Sequence, residues 1–332
     1  MELKPIENIS PKEWDKIISP FDSKAIFHQS AWLDYIEKTQ GVKRRLLKIE
    51  ENNKIVGYFP CFIFNKGFFK ILGSPCIGWV TNFMGPVVNK NFDQKEFIHA
   101  LEKYCKSQKI AHIEISNLIL EPIIMRSYRF HCRKDITYII DLSSDEEKMW
   151  KNLRSECRTS IRKAMNNNLI VEDTNDPRII DEYYSQLKKV FARQRLVPTY
   201  SWRTPQVLFN CLKKEDLLFS LQVKYGQEVI ATGLFPHDDK CVYFFGGASR
   251  QKFYHLRPNN ILHWEAMKIA AQRGILKYDM GGGLFKQRFG GRLIKKYHCY
   301  KSYNLFAKFS REIYKYQFRI SQRLKGKLRS QN

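Results

Sequence analysis

The 332-residue sequence lacks any apolar run near the roughly 18 to 20 residues that cross a bilayer as a helix, so no membrane span is expected. Its first residues, Met1-Glu2-Leu3-Lys4-Pro5, have no apolar core of the signal-peptide type. The eight cysteines lie far apart, without the close pairing of a zinc site or redox motif. They are expected to be free thiols in a reducing compartment, and the chain to be cytoplasmic. The histidines show no ligand spacing with acids or thiols, so no metal is expected. There is no Gly-x-Ser-x-Gly elbow to expose a serine nucleophile. Acids are scarce as well: 33 Asp and Glu face 57 Lys and Arg, a net charge of +24.

A hydrophobic content of 43% with 14% aromatics describes a packed globular protein. The excess positive charge attracts polyanions: nucleic acid, an anionic lipid surface or phosphate-bearing substrates. Between Phe306 and Asn332 stand eight bases and one acid. Ile313, Tyr316, Ile320, Leu324 and Leu328 recur there at intervals of three or four, which predicts a basic amphipathic helix over 306–332. Its apolar stripe either docks on the body or rests peripherally on an anionic membrane.

Two halves of the chain repeat a pattern. Arg44 to Ile49 and Lys54 to Phe64 read as a hairpin turned at Glu51-Asn52-Asn53, followed by a helix over 92–108 and a strand over 111–116. Leu217 to Lys224 and Glu228 to Phe235 read as a second hairpin, followed by a strand over 241–248, a helix from Asn260 to Arg273 and a strand from Ile275 to Met280. A displacement of roughly 170 residues indicates two copies of a domain-sized unit. The class is α/β (α+β), with mixed, mostly antiparallel sheets flanked by helices. The boundaries expected are 1–142, 143–305 and a tail, 306–332.

Two segments carry chemistry. At the exit of the strand ending in Tyr278-Asp279-Met280, Gly281, Gly282 and Gly283 free the backbone and immediately present Phe285 and Lys286. A lysine so placed can hold an anion or an oxyanion. Within Met149 to Ala164, Arg154, Arg158 and Arg162 follow one another at intervals of four, with Lys163 beside them, opposite an apolar face of Trp150, Leu153, Cys157, Ile161 and Ala164. Three guanidiniums in a row suit phosphates, and equally serve as a solvated face.

The order of Phe27-His28-Gln29-Ser30-Ala31-Trp32-Leu33, Arg158-Thr159-Ser160-Ile161-Arg162-Lys163-Ala164, Leu256-Arg257-Pro258-Asn259-Asn260-Ile261-Leu262-His263-Trp264, Tyr278-Asp279 and Phe285-Lys286 resembles the Fem-type branch of the GNAT acyltransferases. The resemblance implies two tandem GNAT-like domains and transfer of an aminoacyl or acyl group to an amine, as in building peptidoglycan cross-bridges. It implies a catalytic lysine at Lys286 beside the aromatic Phe285, with Asp279 positioning or deprotonating the amine. Arg154, Arg158, Arg162 and Lys163 would bind substrate phosphate. Tyr254, Arg257, Asn260 and the three glycines would line the donor or acceptor cleft.

Two departures bear on the donor. No heptad run supplies the coiled-coil arm common in tRNA-dependent Fem enzymes. The stretch Arg250 to Pro258 also lacks the glycines of the Q/R-x-x-G-x-G/A turn, whose backbone amides converge on the pyrophosphate of coenzyme A. The co-substrate therefore stays open between aminoacyl-tRNA and acyl-CoA or an acyl carrier, with no tightly bound cofactor. The acceptor expected is a diphosphate-linked sugar or muropeptide, in peptidoglycan or surface-polysaccharide synthesis. The alternatives are an acyl-CoA- or acyl-carrier-dependent amino-sugar N-acyltransferase, and a non-catalytic RNA- or membrane-binding protein on the same scaffold.

Overall fold

The computed structural model describes residues 1–309, 311 and 313. The rest of the expected basic helix, with Tyr316, Ile320, Leu324 and Leu328, lies outside the described residues. Two compact units are present: Met1–Asp135 together with the stretch that begins at Lys295, and Ile136–Ile294.

The first unit contains β1 (Glu2–Pro5), α1 (Pro11–Ile18), α2 (Ser30–Gln40), β2 (Arg44–Glu51), β3 (Lys54–Lys66), β4 (Phe69–Ser74) and β5 (Val87–Val88). It continues with α3 (Gln94–Ser107), β6 (His112–Asn117), α4 (Pro122–Ser127) and the start of β7 (His131–Asp141). The second unit takes the rest of β7, α5 (Glu146–Asn152), α6 (Ser155–Asn166), β8 (Ile170–Asp173), α7 (Ile179–Arg193) and α8 (Arg203–Leu212). Then come β9 (Leu218–Tyr225), β10 (Glu228–Pro236), β11 (Cys241–Tyr243), β12 (Gly246–Ser249), α9 (Pro258–Gln272) and β13 (Lys277–Asp279). With β14 (Arg292–Ser302) the chain re-enters the first unit.

Local chemistry accounts for the element ends. Ser10 and Glu13 close a capping box at the start of α1, where Pro11 needs no amide partner. Asn52 and Asn53 turn the β2–β3 hairpin at φ 49° and 62°, a conformation asparagine tolerates better than most residues. In the first unit the strands run β1-β2-β3-β4-β6-β14, with β4 and β6 parallel. One face of this sheet buries Leu72, Ile113, Ile115 and Cys299 in a core with Phe97, Ile98 and Leu101 of α3. In the second unit β13 lies antiparallel to β7 and parallel to β11, and β12-β10-β9-β8 form a separate sheet. Its core joins Cys157, Ile161 and Ala164 of α6 to Ile261, Trp264 and Met267 of α9, with Phe219, Phe235 and Tyr278 from strands. The hairpin, third strand, helix and parallel return strand thus recur in both units roughly 170 residues apart, as the sequence pattern predicts.

Three expectations differ from what is observed. The seam falls at 135/136 and not at 142/143, and 295–305 groups with the first unit, because β14 pairs with β6 along six residues. Cys132 and Cys299 form a disulfide, with Cα atoms 4.1 Å apart; 167 residues separate them in sequence, and only strand pairing brings them together. The other six cysteines are free thiols, as expected. The segment from Met149 to Ala164 is not one helix. It breaks at Leu153 and Arg154, both extended, so Arg154 caps α6 and leaves the expected row of three.

Candidate active site

The strand that begins at β11 changes partners halfway along. Its first part pairs with β13, and the last bond on that side runs from the Phe244 amide to the Asp279 carbonyl, 2.9 Å. The next amide, Phe245, donates instead to Leu234 of β10 at 3.1 Å, and β12 continues along β10. Beyond Phe244 and Asp279 the two parallel strands therefore part, and β13 ends with one flank unpaired.

The glycine turn occupies that end. Gly281 and Gly283 sit at φ 73° and 116°, where a side chain is strained, and a Cβ on Gly282 would meet the Ile136 carbonyl at 3.0 Å. The Asp279 carboxylate, 2% exposed, accepts from the Gly281 amide at 2.8 Å and from the Thr137 hydroxyl. It is spent on shaping the turn. After Gly283 the chain forms a 3-10 turn, Leu284–Phe289, which folds Lys286 back over the glycines. Its ammonium donates to the Met280 carbonyl and stands 4.8 Å from the centre of the Phe244 ring. A cation over an aromatic face is attracted to the ring's negative quadrupole, which helps hold a half-buried charge there.

Behind the lysine lies His263 of α9, which the sequence reading passed over. It is 3% exposed and ringed by Phe235, Phe244, Tyr278, Phe285 and Phe289, with its Nδ1 2.7 Å from the Tyr278 hydroxyl. Burial, helped by the charge of Lys286, pushes its pKa down to about 3, so the ring is neutral. Burial likewise raises the Tyr278 phenol well above its usual value. The available signal was the place of His263 in the mostly apolar run Asn260 to Trp264, all of which is buried in α9. Phe285 remains 37% exposed and Leu284 82%, so the turn offers an apolar lip beside the charge.

The expected phosphate-binding residues diverge. Arg158 donates to the Lys151 and Leu153 carbonyls and so closes the end of α5. Arg162 lies 5.4 Å over the Trp150 ring. Arg154 and Lys163 are exposed. The α5–α6 junction touches the lysine turn directly: the Arg154 amide donates to the Arg288 carbonyl at 3.1 Å, and Arg288 pairs with Glu156 at 3.2 Å. Arg154 is thereby brought beside the turn that carries Lys286. Of the expected cleft residues, Tyr254 is half exposed with Arg193 stacked 4.9 Å over its ring. Arg257 holds φ 61° at the entry to α9. Asn260 is buried, its amide facing the Cys157 sulfur at 3.9 Å.

A family model described as an acetyltransferase (GNAT) domain matches residues 151–289. Among solved structures the chain is similar to FemX at 13% identity and a TM-score of 0.71, covering 90% of this chain and 97% of that one. It is similar to L-PGS from Bacillus licheniformis at 11% identity and a TM-score of 0.53, covering 89% of this chain and 93% of that one. A tandem GNAT protein from the clavulanic acid biosynthesis pathway, solved without AcCoA, aligns at 6% identity and a TM-score of 0.54 over 91% of this chain and 98% of its own. A search of curated proteins found no match. At such identities these likenesses are of fold, and the fold is the tandem GNAT arrangement expected from the sequence.

Proposed function

We propose, from the premise that this chain is a GNAT-type acyltransferase of Fem-like fold, that it moves an aminoacyl group from aminoacyl-tRNA to an amine of a peptidoglycan precursor or surface-polysaccharide amino sugar. The observation that carries this reading is Lys286, held over a glycine turn at the point where β11 and β13 part.

The acceptor amine attacks the acyl carbonyl carbon. A C–N bond forms, the ester C–O bond to the carrier breaks, and the leaving oxygen takes up the proton the amine gives away. Charge develops on the carbonyl oxygen in between. Lys286 has three donors on its ammonium, so its hold on Met280 is compatible with donating to that oxyanion. Asp279 serves as a positioning residue, fixing the turn through Gly281, and not as a base open to the substrate. Phe285 and Leu284 form the apolar lip against which the acyl side chain packs. Arg154 and Lys163, exposed on and before α6, take the phosphates.

Two features favour tRNA over coenzyme A. The stretch before α9 lacks glycines and is filled by a 3-10 turn, Gln251–Leu256, in place of a pyrophosphate cradle. The net charge of +24 suits a polyanionic carrier.

The test offers purified protein radiolabelled aminoacyl-tRNA and acyl-CoA in parallel, with UDP-linked muropeptide and amino-sugar acceptors. Transfer from tRNA, abolished by ribonuclease, is expected. Lys286→Ala should lower kcat by about a hundredfold or more, the usual cost of an oxyanion donor, without shifting the melting temperature. Ribonuclease-resistant transfer from acyl-CoA would replace this donor with the thioester. Transfer unchanged in Lys286→Ala would remove the lysine from the mechanism.

A further inference from the structure

One end of the first unit's sheet combines exposed aromatic side chains with a concentration of lysines. Lys66 pairs with Phe69 to close the β3–β4 hairpin, and its tip carries Gly67 at φ 57° and Phe68, which is fully exposed. The Ala111 amide donates to the Lys70 carbonyl at 2.8 Å, and the Tyr303 amide to the Ala111 carbonyl at 2.9 Å. The hairpin tip, the entry to β6 and the exit of β14 thus share this end.

From that exit the chain turns at once into a helix that includes residues 305–309, 311 and 313. An anchor decides which way it faces. Arg311 Nε lies 3.1 Å from Glu114 Oε1, and its guanidinium stacks 3.5 Å from the centre of the Tyr300 ring. Glu114 and Tyr300 are direct partners on β6 and β14. Burial works against the Glu114 charge, yet His112, His298 and the Ile77 amide hold its carboxyl well below the usual range. His112 Nε2 hydrogen-bonds it at 3.2 Å; His298 Nε2 stands 3.3 Å away, out of line for a hydrogen bond. With Arg311 and Ala307 turned inward, the opposite side carries Leu305 (69% exposed), Phe306 (79%), Phe309 (66%) and Ile313 (57%). At about 100° per residue these four fall within an arc of about 100°.

Lysines are frequent around them. No acid occurs between Glu51 and Asp93, whereas Lys66 and Lys70 flank Phe68. Lys103, Lys106 and Lys109 line a surface hollow of about 560 Å³ with Tyr303. The acid of that hollow, Glu102, is engaged by Lys301 at 2.6 Å and Tyr303 at 2.8 Å.

We propose that this end of the first unit, the Phe68 hairpin tip together with the Leu305-Phe306-Phe309-Ile313 stripe, docks on an anionic lipid surface. The aromatic side chains enter the headgroup boundary while the lysines meet lipid phosphates. This deepens the partner reading of 306–332 and does not depend on the chemistry at Lys286. Bare polyanion binding would use the lysines and leave five large apolar side chains in water, so lipid fits better than RNA.

The experiment is cosedimentation of the full chain with phosphatidylcholine vesicles, with and without phosphatidylglycerol. Binding is expected only with phosphatidylglycerol. Phe68→Ser should weaken it roughly tenfold, as expected for a lost interfacial phenylalanine, and the double variant Phe306→Ser/Phe309→Ser roughly a hundredfold. Their melting curves should match wild type, since the side chains are exposed. Phe68→Trp should blue-shift its fluorescence on binding. Acyl transfer to a soluble acceptor should persist in Phe68→Ser, so failure here is separable from failure at the active site. No binding to phosphatidylglycerol vesicles, binding untouched by the phenylalanine variants, or binding that an RNA competitor retains while vesicles do not, would each overturn the proposal.

Discussion

His263 shows how the burial of one residue makes stability depend on pH. Its imidazole is held neutral inside an aromatic ring, with its pKa down to about 3, beside the cation of Lys286. An unfolded histidine titrates near its ordinary value of 6.5, so between those two values the unfolded chain binds a proton that the folded chain refuses. Its contribution to stability is therefore complete above pH 6.5 and declines as the pH falls toward 3. His28 and His237, each lowered to about 4 chiefly by burial, add to the same slope. Urea unfolding is expected to show a flat midpoint above about pH 6.5 and a falling one below it. His263→Gln should make that fall shallower. An equally steep fall in the variant would mean that other groups govern acid lability.

At the scale of elements, the lysine turn is held by its neighbours as much as by its own residues. Gly290 ends it at φ 81°, and a Cβ there would lie 2.3 Å from the Asn152 carbonyl at the end of α5. Gly274, after α9, has a similar φ of 76° with nothing within 4 Å. Gly274→Ala should cost about 1 to 2 kcal/mol from the backbone conformation alone. Gly290→Ala must also push α5 and the turn apart, so it should lower the melting temperature further and reduce transfer; equal thermal shifts would show that the junction yields freely. The glycine turn itself was legible in the sequence, since three successive glycines after a short apolar run have little other use. The break at Leu153-Arg154 was not, because the apolar spacing of Trp150, Leu153, Cys157 and Ile161 continues through it. Nor was the partner exchange at Phe244, since a strand that changes neighbours keeps the same side-chain alternation. The network around Glu114 was equally hidden: its partners His298 and Arg311 come from strands and helix nearly two hundred residues later, and only strand register brings them together.

For the whole molecule, the repeat was readable because each unit reuses one order of elements, whereas the seam was not, because β7 and β14 each run from one unit into the other. The charge of +24 is a property of this scale, and it makes donor identity a question that salt can answer. Binding that neutralises six to ten backbone phosphates releases their counterions and loses about 10³ to 10⁵ in affinity between roughly 50 and 200 mM salt. Coenzyme A carries only a few phosphates and is bound by local contacts, so its dependence should be far shallower. If tRNA is the donor, kcat/KM is expected to fall by at least about a hundredfold over that range. Arg154→Ala and Lys163→Ala should each flatten the log–log slope by about one, the signature of a lost phosphate contact, while leaving kcat at saturating donor unchanged. Arg158→Ala should instead destabilise the α5–α6 junction, because its guanidinium is committed to the Lys151 and Leu153 carbonyls. A rate insensitive to salt would mean that the positive surface serves some polyanion other than the donor, and the lipid-facing end of the first unit would then account for it.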